Sequence, residues 1–183
     1  MDQQKNIVKQ VKICGADIAA FSIAFGPNAT ETEQFAASQL QSHIQTATGV
    51  LLPLAEQGKH RIVIGPAHKD PSAIQYDGFV VETDDASLYL YGAIPRGTLY
   101  AVYEFLEKYI GFRKYEQGIE RLLSGNVDIP RFLRDVQNPV FEYRVTDWLT
   151  HVQGGSFAAW ERINSSRTGP MEGMGGTIPI LGG

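Results

Sequence analysis

One cysteine, Cys14, is all the chain has, so an internal disulfide is excluded. That thiol sits in the apolar run VKICG with no basic neighbour to lower its pKa, so it reads as a small buried hydrophobe and not as a nucleophile. Histidine is scarce too. His43, His60, His68 and His151 show no zinc-ligand spacing with one another or with the cysteine, so no metal and no cofactor are expected. No apolar run approaches the length needed to span a bilayer. The start, MDQQKN, lacks the character of a signal peptide, although secretion or a periplasmic home would follow if a leader had been removed. Basic residues number only 16 and are scattered, and the net charge is −4, so a nucleic-acid-gripping face is not expected. A phosphate-cradling glycine loop with its lysine and a serine nucleophile elbow are both missing.

What is present is the material of a soluble fold. The 183 residues are 43% apolar and 20% charged, enough for one domain with a core of its own and a piece of a second. Residues 7–24 alternate loosely around Gly15-Ala16-Asp17 and predict two strands and a tight turn. After a break at Pro27-Asn28, Thr30 or Asn28 caps a helix with Glu31 and Glu33 in its first turn. Phe35, Ala36, Leu40, Ile44 and Ala47 recur at helical spacing until Gly49. Short strands are predicted at 50–54, 61–64, 76–82 and 88–91, the last two forming a hairpin about Asp84-Asp85. Arg96-Gly97-Thr98 opens a long helix striped by Leu99, Val102, Tyr103, Leu106 and Ile110 and widened by Phe105 and Tyr109. Gly111 stops it, strands follow at 112–115 and 127–129, and Pro130 closes the series. This order predicts an α/β sandwich, a sheet covered on at least one face by two helices, and the hairpin signals near residues 15 and 84 argue against an all-parallel sheet.

Asn138-Pro139 reads as a boundary between residues 1–138 and 139–183. Beyond it, residues 140–145 predict a strand and 158–164 a short helix. The rest is rich in glycine and ends on an apolar run, as though it opened a second domain.

Residues 77–115 carry a resemblance. DGFVVETDDASLYLYGAIPRGTLYAVYEFLEKYIGFRKY is similar to the accessory domain ahead of the catalytic barrel in family 20 β-hexosaminidases and family 67 α-glucuronidases. It is closer still to a group of bacterial proteins with an α-glucuronidase-like N-terminal domain. There a glycine-ended strand precedes an Arg-Gly-x-x-Tyr-Ala/Gly helix, then Leu-Glu, then Gly and a short aromatic strand. Residues 89–92, Arg96, Gly97, Tyr100, Ala101, Leu106, Glu107, Gly111, Phe112 and Tyr115 occupy those places. EQFAASQLQSHIQTATG resembles the family's first helix, and RIVIG resembles its strand. The likeness covers about residues 7–145.

The resemblance implies an α/β (α+β) two-layer sandwich, a mixed sheet with two helices on one face, followed by a truncated start of a (β/α)8 barrel, with PVFEYRVTD as the barrel's opening strand. It makes the chain's own C-terminal barrel the expected partner and a carbohydrate the substrate of the whole protein. Arg144 falls where the hexosaminidases place a sugar-touching arginine, although Val145 stands where they have glycine. With it, Asp147 and His151 are the candidate substrate-binding residues. Glycoside cleavage needs two carboxyl groups across the scissile bond, which family members supply from later strands, so no catalytic residue is expected here. A stand-alone carbohydrate-binding module or a protein-interaction domain are the alternatives. Tyr89, Tyr91, Tyr100 and Tyr103 would make a stacking platform in the former, or pack between sheet and helix. Glu104 and Glu107 read as a solvated helix edge, and Gly97 as an allowance for close packing at a helix start. The sequence leaves oligomeric state open.

Overall fold

The structure is a computed structural model, and it describes residues 9–26, 28–66, 69–153, 155–168 and 173–178. Expectations that touched Ile7, Val8, Pro27, His68 and residues 179–183 lie outside the described residues.

Three local signals behave as their chemistry dictates. Cys14 and Gly15, both at positive φ, turn β1 (Val11–Ile13) antiparallel onto β2 (Ala16–Asp17). β3 (Phe21–Phe25) follows after one 3-10 turn. Helix α1 (Glu31–Thr48) starts in a reciprocal capping box, Thr30 with Glu33. It ends at Gly49, whose φ of 76° is the left-handed cap that glycine adopts without a Cβ penalty. Next come β4 (His60–Ile64), β5 (Phe79–Thr83) and β6 (Leu88–Gly92). Helix α2 (Pro95–Glu104) has proline in its first turn and runs into one π-helical stretch, Phe105–Ile110, before Gly111 stops it.

The main sheet has the order β10-β5-β6-β4-β3, where β10 is Arg134–Gln137. The β3–β4 and β4–β6 pairs are parallel, and the β5–β6 and β10–β5 pairs are antiparallel. The sheet is therefore mixed, within an α+β fold. Both helices pack on one face, where Phe21, Ile23, Ile62, Ile64, Phe79, Val81, Leu88 and Leu90 meet Leu40, Ile44, Leu99, Val102 and Leu106 in the main core. Side chains alternate along a strand, so Val80 and Tyr91 face the other way, where Ile74 and Tyr89 cover them. A small second sheet, β2-β1-β9 with β9 at Val127–Ile129, joins the main core through Val11, Ile13 and Ile129. The hairpin β7 (Phe112–Glu116) and β8 (Ile119–Leu122) stands apart from both sheets.

Several expectations need correction. The run 50–54 forms only an isolated bridge from Leu54 to Ile23, which protects the outer edge of β3. The strand expected from residue 76 begins at Phe79, because Tyr76-Asp77-Gly78 is a turn with Gly78 N–H donating to Gln75 O. Strands β8 and β10 were not foreseen. Residues 140–145, expected as a barrel strand, are irregular, since among the described residues they find no neighbour to pair with. No closed barrel is present among the described residues.

Packing runs across residue 138. Helices α3 (Leu149–Gln153) and α4 (Gly155–Trp160) follow the irregular stretch. Ala159 and Trp160 belong to the same core as the sheet, Trp160 with 0% exposure. Its ring lies 4.7 Å from Tyr103 and 5.6 Å from His43, and Lys114 Nζ sits 4.1 Å from its centre.

Candidate functional site

Three distant parts of the chain converge on the carboxylate of Asp77. Its turn is pressed into position by missing side chains. A Cβ on Gly97 would stand 2.4 Å from Gly78 O, and one on Gly78 would stand 2.4 Å from Asn138 Oδ1. Only glycine lets the start of α2, the 75–78 turn and the end of β10 approach this closely. That approach brings Asp77 against Arg96, the second residue of α2.

Asp77 Oδ2 accepts three hydrogen bonds: from Arg96 Nε at 3.1 Å, Arg144 Nη2 at 2.7 Å and Asn164 Nδ2 at 2.9 Å. Its side chain is 1% exposed. One buried acidic side chain thus ties α2 to two points of the C-terminal stretch, with the multiple hydrogen bonds that its burial requires. Asn164 adds a two-way backbone link. Its Oδ1 accepts from Arg144 N at 2.8 Å, its own N–H donates to Arg144 O at 3.2 Å, and its Nδ2 also reaches Glu142 O at 2.7 Å. Arg96 Nη1 donates onward to Gly175 O and Gly176 O at 3.1 and 3.0 Å.

A second clasp lies beside the first. Arg162, held at φ 58°, donates from Nη2 to Glu104 and from Nη1 to Glu107, each at 3.0 Å. The two glutamates expected as a solvated edge are therefore engaged by one guanidinium. Left-handed backbone at a non-glycine residue is strained, and the two engaged carboxylates and the Arg144 Nε bond to Arg162 O at 2.7 Å hold it there.

Between the clasps is a cavity of about 180 Å³ lined by Asp77, Phe79, Tyr100, Pro139, Arg144 and Arg162 among others. Behind this lining, Asp77 Oδ1 is sealed from solvent, and the Tyr100 hydroxyl lies buried against the Arg144 guanidinium. Burial, and after it the Asp77 charge, pushes the Tyr100 phenol up to about 12, so the hydroxyl keeps its proton at neutral pH.

The three candidate residues from the sequence are not gathered. Arg144 is committed to Asp77, to Arg162 O and to Phe141 O. Asp147 is exposed and pairs with Arg167 at 2.9 Å. His151 packs between Trp148 and Phe157 rings. No hydrogen bond or ring contact joins any two of the three. The tyrosines give no exposed platform: Tyr91, Tyr100 and Tyr103 are buried, and Tyr89 is half-buried under Lys69. Cys14 is buried and its Sγ donates to Asp84 O, with burial raising its pKa.

Asp77, Arg162 and Asn164 were missed by sequence reasoning. The Asp-Gly pair at 77–78 is a turn signal inside an apparent strand and could have exposed the first. Nothing local marks the other two, whose partners lie up to 87 residues away. Among the described residues no three His, Cys, Asp or Glu side chains gather as metal ligands, and no helix is long and apolar enough to cross a membrane. Compared with protein-family models and with curated proteins, the chain matches none of them.

Proposed function

We propose that this chain is a non-catalytic supporting domain of a carbohydrate-degrading glycoside hydrolase, of the α-glucuronidase or hexosaminidase type, seated against a catalytic (β/α)8 barrel. The observation that carries the reading is the stretch 140–148. It is irregular, exposes Phe141 at 71% and Trp148 at 72%, and leaves Val140 and Val145 exposed beside them, with Leu149 at the start of α3 exposed as well. Both its flanks are pinned, by β10 in the sheet and by Trp160 in the core. An exposed apolar run held by two fixed ends is the kind of surface that a partner covers. The resemblance of residues 7–145 supplies the kind of partner, a barrel whose first strand is this run and whose later strands bring the two carboxyl groups of glycoside cleavage. Within the chain, the Asp77 and Arg162 clasps fix the angle at which that run leaves the sandwich. Under this reading Arg144 is a hinge pin of the junction, and Asp147 and His151 lie on the barrel side of it.

The test uses the coding sequence beyond Gly183. Strand–helix alternation with acidic residues at strand ends is expected there. The polypeptide it encodes, mixed with this chain, should blue-shift Trp148 emission and should cleave an aryl glycoside. A stop codon directly after Gly183, or turnover of that glycoside by the 183-residue chain alone, overturns the proposal.

A further inference from the structure

We infer that the β7–β8 hairpin is fastened to α1 by a protonation latch: a doubly protonated His43 ring grips the Glu120 carboxylate, and loss of one ring proton loosens the hairpin. The hairpin pairs with neither sheet, so its seat depends on side chains. His43, on α1, is one of them, with a side chain 11% exposed. Its Nδ1 lies 2.7 Å from Gln39 O, one helical turn back. Its Nε2 lies 3.4 Å from Glu120 Oε2, on β8. A carbonyl oxygen and a carboxylate oxygen both accept. A neutral imidazole has one N–H to offer, whereas the imidazolium has two. Only the charged ring therefore satisfies both contacts together. Gln39 O keeps a proton on Nδ1 in either state, so the proton that comes and goes is the one on Nε2.

The surroundings single out that ion pair. From residue 39 to residue 47, α1 carries no acidic or basic side chain besides His43 itself. From α4 the Trp160 ring stacks on the imidazole, 5.6 Å between centres and 24° between planes, with the Tyr103 ring of α2 behind it. From β7 the Phe112 ring meets the imidazole edge-on at 4.8 Å. Lys114, also on β7, sets Nζ 4.1 Å from the centre of Trp160 and 3.3 Å from Glu120 Oε2. Lys114 and Glu120 are cross-strand partners, so their bond holds the hairpin together and does not tie it to α1. Once His43 is neutral, its Nε2 lone pair faces the Glu120 carboxylate and attraction turns to repulsion. Glu120 sets the acid limit. Burial raises its pKa, but His43 and Lys114 outweigh burial and hold it below the ordinary value of 4.5. Stability from a depressed carboxyl is lost as pH falls through its folded pKa, and stability from a charged histidine is lost as pH rises. The latch is thus closed in mildly acidic solution and loosens on either side. Loosening frees one wall of the cavity of about 260 Å³ that the hairpin shares with Ser156 and Phe157. The device lies within the sandwich and α4 and does not rest on the glycoside hydrolase reading, so failure of one leaves the test of the other standing.

The experiment follows the nitrogen-15-labelled 183-residue protein by NMR between about pH 5 and pH 8, the range in which histidine ordinarily changes charge. The ring nitrogen shifts report which nitrogens carry a proton. At the acid end both nitrogens of His43 should be protonated, and at the alkaline end Nδ1 alone. The backbone amides of Lys114, Gly118, Glu120 and Leu122 should shift with the same midpoint as the ring. Glu120→Gln keeps the size of the side chain and removes its charge. At the midpoint pH of the parent, its doubly protonated fraction of His43 should be smaller. His43→Gln should abolish the pH-dependent step of the hairpin amides. The titration of the parent protein decides the matter even where a variant fails to fold. A His43 ring that is singly protonated throughout the range overturns the inference, as do hairpin amides that do not follow the ring. A step that persists in His43→Gln, or an unchanged doubly protonated fraction in Glu120→Gln, overturns it as well.

Discussion

Replacing Trp160 with alanine asks whether the chain beyond residue 138 is part of the folded unit or merely rests on it. Trp160 is fully buried, inside the main core, against Tyr103, His43 and the Lys114 ammonium. Truncating a tryptophan in a packed core removes its transfer free energy and leaves a cavity, together about 3–5 kcal/mol. That is a large share of the roughly 5–15 kcal/mol that stabilises an ordinary domain. For a chain of this length it corresponds to a fall of roughly 6–20 °C in melting temperature. The assay is urea unfolding followed by far-UV circular dichroism, because Trp148 is the only other tryptophan and its exposed ring is a poor reporter. The midpoint should fall while the slope with urea holds, since the surface exposed on unfolding changes little. A loss under about 1 kcal/mol would refute the reasoning. It would mean that α4 packs on a sandwich already complete without it.

Gly97→Ala places a Cβ 2.4 Å from Gly78 O, backbone against backbone, and should cost about 1–3 kcal/mol in thermal or urea melts; a neutral result would show that the α2 start is not held against the 75–78 turn. Acid should weaken the fold through Asp84 and Asp135. Burial opposes ionisation at both. At Asp84 the Ala86 amide, the Tyr89 hydroxyl and the Ser87 amide outweigh it, and at Asp135 Lys108 and Tyr109 do. Both carboxyls are therefore held below the ordinary value of 3.8. A group depressed in the folded state adds stability that is present above its unfolded pKa and is lost as pH falls through the folded one. Melting temperature should thus decline from about pH 4 downward, and alanine at both positions should flatten that slope; an unchanged slope would contradict the assignment.

The turns near residues 15 and 84, a capped start of α1 with an acidic first turn, the Gly49 and Gly111 stops and the apolar stripe of α2 were all legible in the sequence, because each depends on residues within a few positions of one another. The Thr30–Glu33 pair, for instance, satisfies a helix end with side chains three residues apart. Even a sheet that is not all parallel, covered by two helices, followed from element order and two turn signals. Pairing at a distance was not legible. Strand β10 exists because the outer edge of β5 accepts it, and nothing in RDVQ announces that partner. The run 140–145 has the residues of a strand yet stays irregular, because a strand is a property of two segments and not of one. Glu104 and Glu107 looked solvated until the fold brought Arg162 across them, and the conversion of Asp77 from a turn residue to the meeting point of Arg96, Arg144 and Asn164 has the same origin. Sequence by itself determined where helices and turns begin and end, since those bonds close locally. Tertiary structure alone decided which charges are buried together and where a cavity is left between them, since that depends on which distant surfaces the core draws into contact.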